Sequence, residues 1–356
     1  MRLIRITIVA LALVAAGCSG SNSDTSASSQ SSEATQETAL AESEGDFAGL
    51  VDIGGGRQMY MECSGTGSPT VVLESGLRDA ADVWSMSSAG EGAPTVFPEV
   101  AKFTRVCAYD RPGTVLATGE GAEDFEPSRS DPVPQPRTLQ DGARDLHALL
   151  GASGERGPYV VVGHSLGGAI AKLYASEHPQ DVSRLVLVDY SPYEARNALT
   201  DEQWGYWKVL LGGSPPDEEL DLYPDLEWFD HQRNLEQALA AAPLKPMPLI
   251  VFQSDEPFDL TPYVEDGSLP MTAEEAEEFR KLLFGAWRDA MADLVSQVPG
   301  ARFITKTHSG HYIHWEQPQL VIDSVREVVD AARKKSCALG VKNHGQCVKA
   351  EKHARG

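Results

Sequence analysis

The chain alternates between two hydrophobic rhythms. Short apolar, β-branched runs occur at 70–74 (TVVLE), 104–110 (TRVCAYD), 159–163 (YVVVG), 184–189 (RLVLVD), 249–253 (LIVFQ) and 302–306 (RFITK). Several are apolar without alternation, the pattern of strands covered on both faces. Between them, apolar residues fall three and four apart. From Thr138 onward, Leu139, Ala143, Leu146, Leu149 and Leu150 share one helical face, with Thr138 as N-cap. The segment after Ser165 reads as a helix stopped by Pro179. A late helix starts at Pro318 and carries Val321, Val325 and Val328 as its apolar stripe. Strand and helix in alternation predict an α/β fold with a mostly parallel central sheet flanked by helices. Segments around 47–53 and 58–63 are expected to form its antiparallel start.

Two stretches break the alternation. Residues 191–247 hold Trp204, Trp207, Trp228 and Phe229 among proline breaks. Residues 254–300 contain a long helical pattern from about Thr272 to Val298. Residues 117–137 are an acidic, proline-rich loop. Aromatic insertions at the loop end of a sheet predict a lid over a site.

The ends have a different composition. Arg2 and Arg5 precede an apolar run from Ile6 to Ala16, too short to span a bilayer, which needs about 20 residues. The run closes in AAGC at Cys18 and resembles a bacterial lipoprotein signal, with Cys18 as the lipidated residue and 1–18 as the signal. Residues 19–46 are rich in Ser and Thr and poor in large apolar groups, so they read as a tether. The folded domain is expected over 47–332. Residues 333–356 hold seven Lys or Arg against the single acid Glu351, and form a basic tail.

Charge narrows the function. The 356 residues carry 30 Lys+Arg against 52 Asp+Glu, a formal net charge of −22. Such a chain repels nucleic-acid phosphates, and it contacts a membrane only through the N-terminal lipid. With 42% hydrophobic residues it has the material for a large core. No Cys-x-x-Cys occurs, so a cysteine-built zinc site is not expected. No metal or organic cofactor is implied. Among the five cysteines, Cys63 and Cys107 lie at early strands that could sit close together, as a disulfide or as buried thiols. Cys337 and Cys347 could close a small loop in the tail.

The chemistry concentrates at Gly163-His164-Ser165-Leu166-Gly167, a G-x-S-x-G between a predicted strand and a predicted helix. In that context the serine sits on a sharp turn at a helix N-terminus, with its hydroxyl lifted above the sheet. The N–H of Leu166 there points at a developing oxyanion. The sequence resembles the α/β-hydrolase superfamily, in its bacterial exported branch. Four segments carry the resemblance in order: LESG at 73–76, YDRPG at 109–113, GHSLGG at 163–168 and SGHYIH at 309–314.

The resemblance implies a serine hydrolase acting on a carboxylic ester or related small acyl substrate. It assigns Ser165 as nucleophile, His311 as base, and the N–H groups of Leu77 and Leu166 as the oxyanion hole. His308 and His314 are the neighbouring histidines it sets aside, with His314 expected to face the last helix or the lid. Asp110 and Arg111 are expected to hold loops together. Two carboxylates compete for the acid: Asp189 at the end of RLVLVD and Asp255 after the next strand. Asp189 is preferred, because FQSDEP lacks the glycine-led turn that usually presents the later acid. A peptidase of the same fold and a non-catalytic binding protein are the alternatives.

Overall fold

The computed structural model describes residues 45–338 except 89, 91 and 118–124. The Cys18 lipidation site, nearly all of the tether, the tail after 338 and the proposed Cys337–Cys347 pairing lie outside the described residues and side chains.

The strands are β1 (Phe47–Gly54), β2 (Arg57–Ser64), β3 (Val71–Glu74), β4 (Val106–Tyr109), β5 (Val115–Ala117), β6 (Phe125–Pro127), β7 (Tyr159–His164), β8 (Val182–Val188), β9 (Leu249–Phe252) and β10 (Arg302–Ile304). Eight of them form one sheet in the order β1-β2-β4-β3-β7-β8-β9-β10. β2 pairs antiparallel with both neighbours, and every pair from β4 to β10 is parallel. β5 and β6 form a separate antiparallel pair at the start of the proline-rich loop, which the sequence pattern did not reveal. Cys63 and Cys107 stand directly opposite each other on β2 and β4 and are joined as a disulfide.

The helices are α1 (Val96–Ala101), α2 (Leu139–Ala152), α3 (Ser165–Glu177), α4 (Asp201–Leu210), α5 (Asp217–Leu222), α6 (His231–Ala240), α7 (Thr261–Glu265), α8 (Ala273–Gln297), α9 (Ile313–Glu316) and α10 (Pro318–Ala338). α2 begins at a reciprocal cap: Thr138 Oγ1 accepts from the Asp141 N–H, and Asp141 accepts from the Thr138 N–H. α8 begins the same way at Thr272 and Glu275.

The sheet separates two apolar layers, and the period of two along each central strand assigns the faces. Val72 and Val161 join the layer containing α2, α3 and α8, whereas Val71, Leu73, Val160 and Val162 join the layer containing α1 and α10. Both faces are sealed, so the strand runs carry no polar alternation. The open ground is the C-terminal edge of the parallel strands, where such sheets place their sites. The insertion between β8 and β9 supplies α4 to α6, and that between β9 and β10 supplies α7 and α8.

Candidate active site

Ser165 is the first residue of α3 and follows β7 with no intervening loop. Its φ of 52° lies in the left-handed region, which costs a non-glycine residue about 1–3 kcal/mol and persists where packing enforces it. The enforcement is visible. A Cβ on Gly163 would come within 2.7 Å of the Gly167 carbonyl oxygen, and a Cβ on Gly167 would overlap the Ser75 carbonyl oxygen. Glycine at both positions lets α3 start this tightly. Ser165 also accepts at its carbonyl oxygen from the Ser191 N–H at 3.0 Å, which ties the elbow to the end of β8.

The same Gly167 contact presses the elbow against the turn after β3, which carries Leu77. That turn is held rigidly. Arg111 donates from Nη1 to the Ser75 carbonyl oxygen at 2.7 Å and from Nη2 to that of Gly76 at 2.5 Å. Trp84 donates Nε1–H to Ser75 Oγ at 3.1 Å. The guanidinium of Arg111 is fully buried between Glu74 and Glu227, at 2.7 and 2.8 Å. Asp110 accepts from the Ala81 N–H and from Arg129. Both residues of YDRPG therefore hold loops, as expected. Leu166 lies in the first turn of α3, where backbone N–H groups have no helical partner.

Two candidate acids take different partners. Asp189 directly follows β8 at φ 43°, is buried, and accepts from His311 Nδ1 at 2.7 Å and from the Ser254 N–H at 2.9 Å. Asp255 accepts from the Ser309 N–H at 3.0 Å and from Thr307 Oγ1 at 3.3 Å. It thus shapes the loop that carries the histidine, without a hydrogen bond to the His311 ring. His308 is largely exposed, 3.7 Å from Asp255. His314 is buried, its ring 4.6 Å from Trp84 and 4.4 Å from His164. The structure brings Asp189 and His311 into direct contact. His164, the sequence neighbour of Ser165, has its ring 4.6 Å from that of His311. No direct hydrogen bond joins Ser165 Oγ to His311.

Residues 71–324 match the Alpha/beta hydrolase family. The chain belongs to the alpha/beta hydrolase family. It is 35% identical over 137 residues to "Putative carbamate hydrolase RutD" of Yersinia enterocolitica, covering 38% of this chain and 41% of that protein. It is 24% identical over 285 residues to the uncharacterized protein YqjL of Bacillus subtilis, covering 77% and 89%. The matched segments span less than half of the length of the first of these relatives. Carboxylesterase CesB of Bacillus subtilis superposes with a TM-score of 0.47 at 17% identity, covering 80% of this chain and 92% of that one.

Several groups at this alpha/beta hydrolase site carry no sequence signal. His164 occupies the variable position of G-x-S-x-G, yet its Nε2–H donates to the His311 carbonyl oxygen at 3.0 Å. Among the described residues its Nδ1 is buried without a hydrogen-bond partner, 4.0 Å from Asp79 Oδ2, which is likewise unpartnered. Burial pushes the Asp79 carboxyl up to about 7, against the pull of Arg111. Burial drives His164 well below the usual imidazole range and His314 down to about 3, with nearby His311 adding to both. Glu227 comes from the first insertion, where no motif marks it. Phe258 reaches from the second insertion to within 4.9 Å of the His311 ring and packs with Leu283 and Trp287 around a void of only about 10 Å³. A cleft of about 530 Å³ lies elsewhere, along α3 and α8 near Tyr190 and Tyr193, and includes neither Ser165 nor His311.

Proposed function

We propose that this alpha/beta hydrolase is a serine hydrolase that cleaves carboxylic esters or related small acyl compounds through an acyl-enzyme. The observation that carries the reading is the 2.7 Å contact of Asp189 with His311 Nδ1, beside a serine on a strained elbow. A carboxylate accepts only, so Nδ1 carries the proton and Nε2 is left basic. Ser165 Oγ attacks the acyl carbon while His311 Nε2 takes its proton, and Asp189 stabilises the imidazolium that forms. The N–H groups of Leu77 and Leu166 receive the oxyanion. The protonated His311 hands its proton to the leaving group, and water attacks the acyl-enzyme by the same route. The Phe258 ring, 4.9 Å from that of His311, supports a substrate with apolar area beside the scissile bond.

The test uses p-nitrophenyl esters of rising acyl length and a fluorophosphonate probe on the wild type and on Ser165→Ala. Turnover and labelling, both lost in the variant, are expected. Labelling without ester turnover would redirect the substrate assignment toward a peptide. Neither signal from folded protein would overturn the enzyme reading in favour of a binding protein.

We infer further that the chain is exported and held at a membrane through lipid on Cys18, with 19–46 as tether. The signal-like pattern of 1–18 supports this, as does a disulfide at Cys63–Cys107, which favours an oxidising compartment. Incorporation of labelled fatty acid, lost in Cys18→Ala, is the expected result. Equal labelling of both would refute it.

A further inference from the structure

His147, His178 and Asp181 converge at the end of the sheet opposite the candidate active site. Their ligand-type atoms all lie within 4.8 Å of one another. His147 projects from α2, His178 caps α3, and Asp181 lies in the turn into β8. No sequence motif links them, since 31 residues separate the two histidines and the grouping arises only when α2 packs beside α3.

We propose that these three residues bind one divalent transition-metal ion of the zinc type, with water completing its coordination. Two features support this. First, the donor set suits the ion: two neutral imidazoles and one carboxylate are common zinc ligands. Tetrahedral coordination at about 2.0–2.1 Å places ligand atoms roughly 3.3 Å apart, and His147 Nδ1 already stands 3.5 Å from Asp181 Oδ2.

Second, the ligands are anchored on rigid backbone. The His178 N–H donates to the Tyr174 carbonyl oxygen at 2.8 Å, and the Asp181 N–H donates to that of His178 at 3.0 Å. The Asp181 carbonyl oxygen accepts from the Tyr159 N–H at 2.7 Å, fixing the turn to β7. Tyr174 OH donates to Asp181 Oδ2 at 3.4 Å and so helps to orient the carboxylate oxygen that faces His147.

The imidazoles of His147 and His178 stack at 3.9 Å with planes 10° apart. A metal lies in the plane of each imidazole it binds, so one ring turns out of the stack on binding, and the half-exposed His147 has room to do so. His147 and Asp181 are open enough to water for an ion to enter.

The ion would stand at the far end of α3 from Ser165. Thirteen helical residues at about 1.5 Å each separate them by roughly 20 Å. Its role is therefore a clasp joining α2 to the α3–β8 turn, not a part of the acyl chemistry.

Calorimetric titration of the full chain with ZnCl₂, after chelator treatment, tests the assignment. His147→Ala, His178→Ala and Asp181→Asn are titrated alongside, with His308→Ala as a control from the exposed histidine by Asp255. The expected result is one saturable site weakened at least tenfold in each of the three variants and unchanged in the control. Melting temperature should rise with zinc in the wild type and the control only. Ester hydrolysis should be unchanged in His147→Ala, so this outcome does not depend on the function proposed above. No zinc binding by the wild type, or binding equally tight in all three variants, would overturn the site.

Discussion

His164 donates its Nε2–H to the backbone carbonyl oxygen of His311 at 3.0 Å. The residue beside the proposed nucleophile thereby holds the main chain of the proposed base, across 147 positions of sequence. The bond also settles the His164 tautomer: Nε2 carries the proton, and Nδ1 faces Asp79 as an acceptor. His164→Phe keeps an aromatic ring in the stack but removes the donor. We expect kcat for a p-nitrophenyl ester to fall about tenfold, the value of one hydrogen bond of about 1.4 kcal/mol, with KM nearly unchanged. An unaltered kcat would show that the His311 loop holds its position without His164.

The division of labour between the two aspartates predicts different phenotypes. Asp189→Asn removes the carboxylate that orients the His311 ring and should lower kcat by roughly 10³–10⁴ with little change in melting temperature. Asp255→Asn weakens the acceptor of the 307–309 loop and should lower kcat by about tenfold or less, with a measurable loss of stability. Steady-state kinetics and thermal melts of both variants separate these expectations. The reverse pattern would move the acid to Asp255.

Arg111 and Glu227 form a buried ion pair between the turn after β4 and the first insertion. Cutting such a pair on one side leaves a buried charge under-compensated, at about 3–5 kcal/mol. Arg111 keeps Glu74, so Glu227→Gln should cost about 3 kcal/mol, read as a lowered urea midpoint. Glu227 Oε2 also accepts the Arg78 N–H at 3.0 Å, next to Leu77. The variant should therefore raise KM as well. A midpoint within error of wild type would mean that the insertion is anchored elsewhere.

Acid should destabilise the fold from about pH 6.5 downward. His164, His231 and His314 are neutral inside, and burial holds His231 at about 4 and His314 at about 3. Below the unfolded value of about 6.5, the unfolded chain takes up protons that the folded chain refuses. The stability is complete above that pH and is lost as pH falls toward the folded values. Asp79 has the opposite sign: with a folded value near 7, it favours the folded state at low pH and withdraws that support as pH rises. Glu62 and Glu74, also raised by burial, share the sign of Asp79, and the three histidines are expected to outweigh these carboxyls between pH 7 and 5. Neither ring nitrogen of His314 has a hydrogen-bond partner among the described residues, so His314→Leu should flatten the fall in urea midpoint between pH 7 and 5. An unchanged slope would assign the acid sensitivity to other groups.

Apolar runs and helical stripes by themselves determined the α/β alternation, because strands sealed on both faces and helices packed on one face must bury matching surface. β3, β7, β8 and β9 each fall within two residues of their apolar runs, and α2 starts at the Thr138 cap. The G-x-S-x-G element was equally legible, since the chain turns from β7 into α3 at Ser165 and needs glycine on both sides. The β5–β6 pair was not legible, being two short strands at the start of a polar, proline-rich loop. The tertiary structure alone decided which carboxylate meets His311. The missing glycine-led turn in FQSDEP only favoured Asp189 over Asp255, and the contact itself, with a ring 122 positions later, exists only in the packed chain. It likewise decided the contacts of His164, Arg111, Glu227 and the His147–His178–Asp181 cluster. Hydrogen bonds and ion pairs act over about 3 Å in space, and only the packed chain brings residues so distant in sequence to that range.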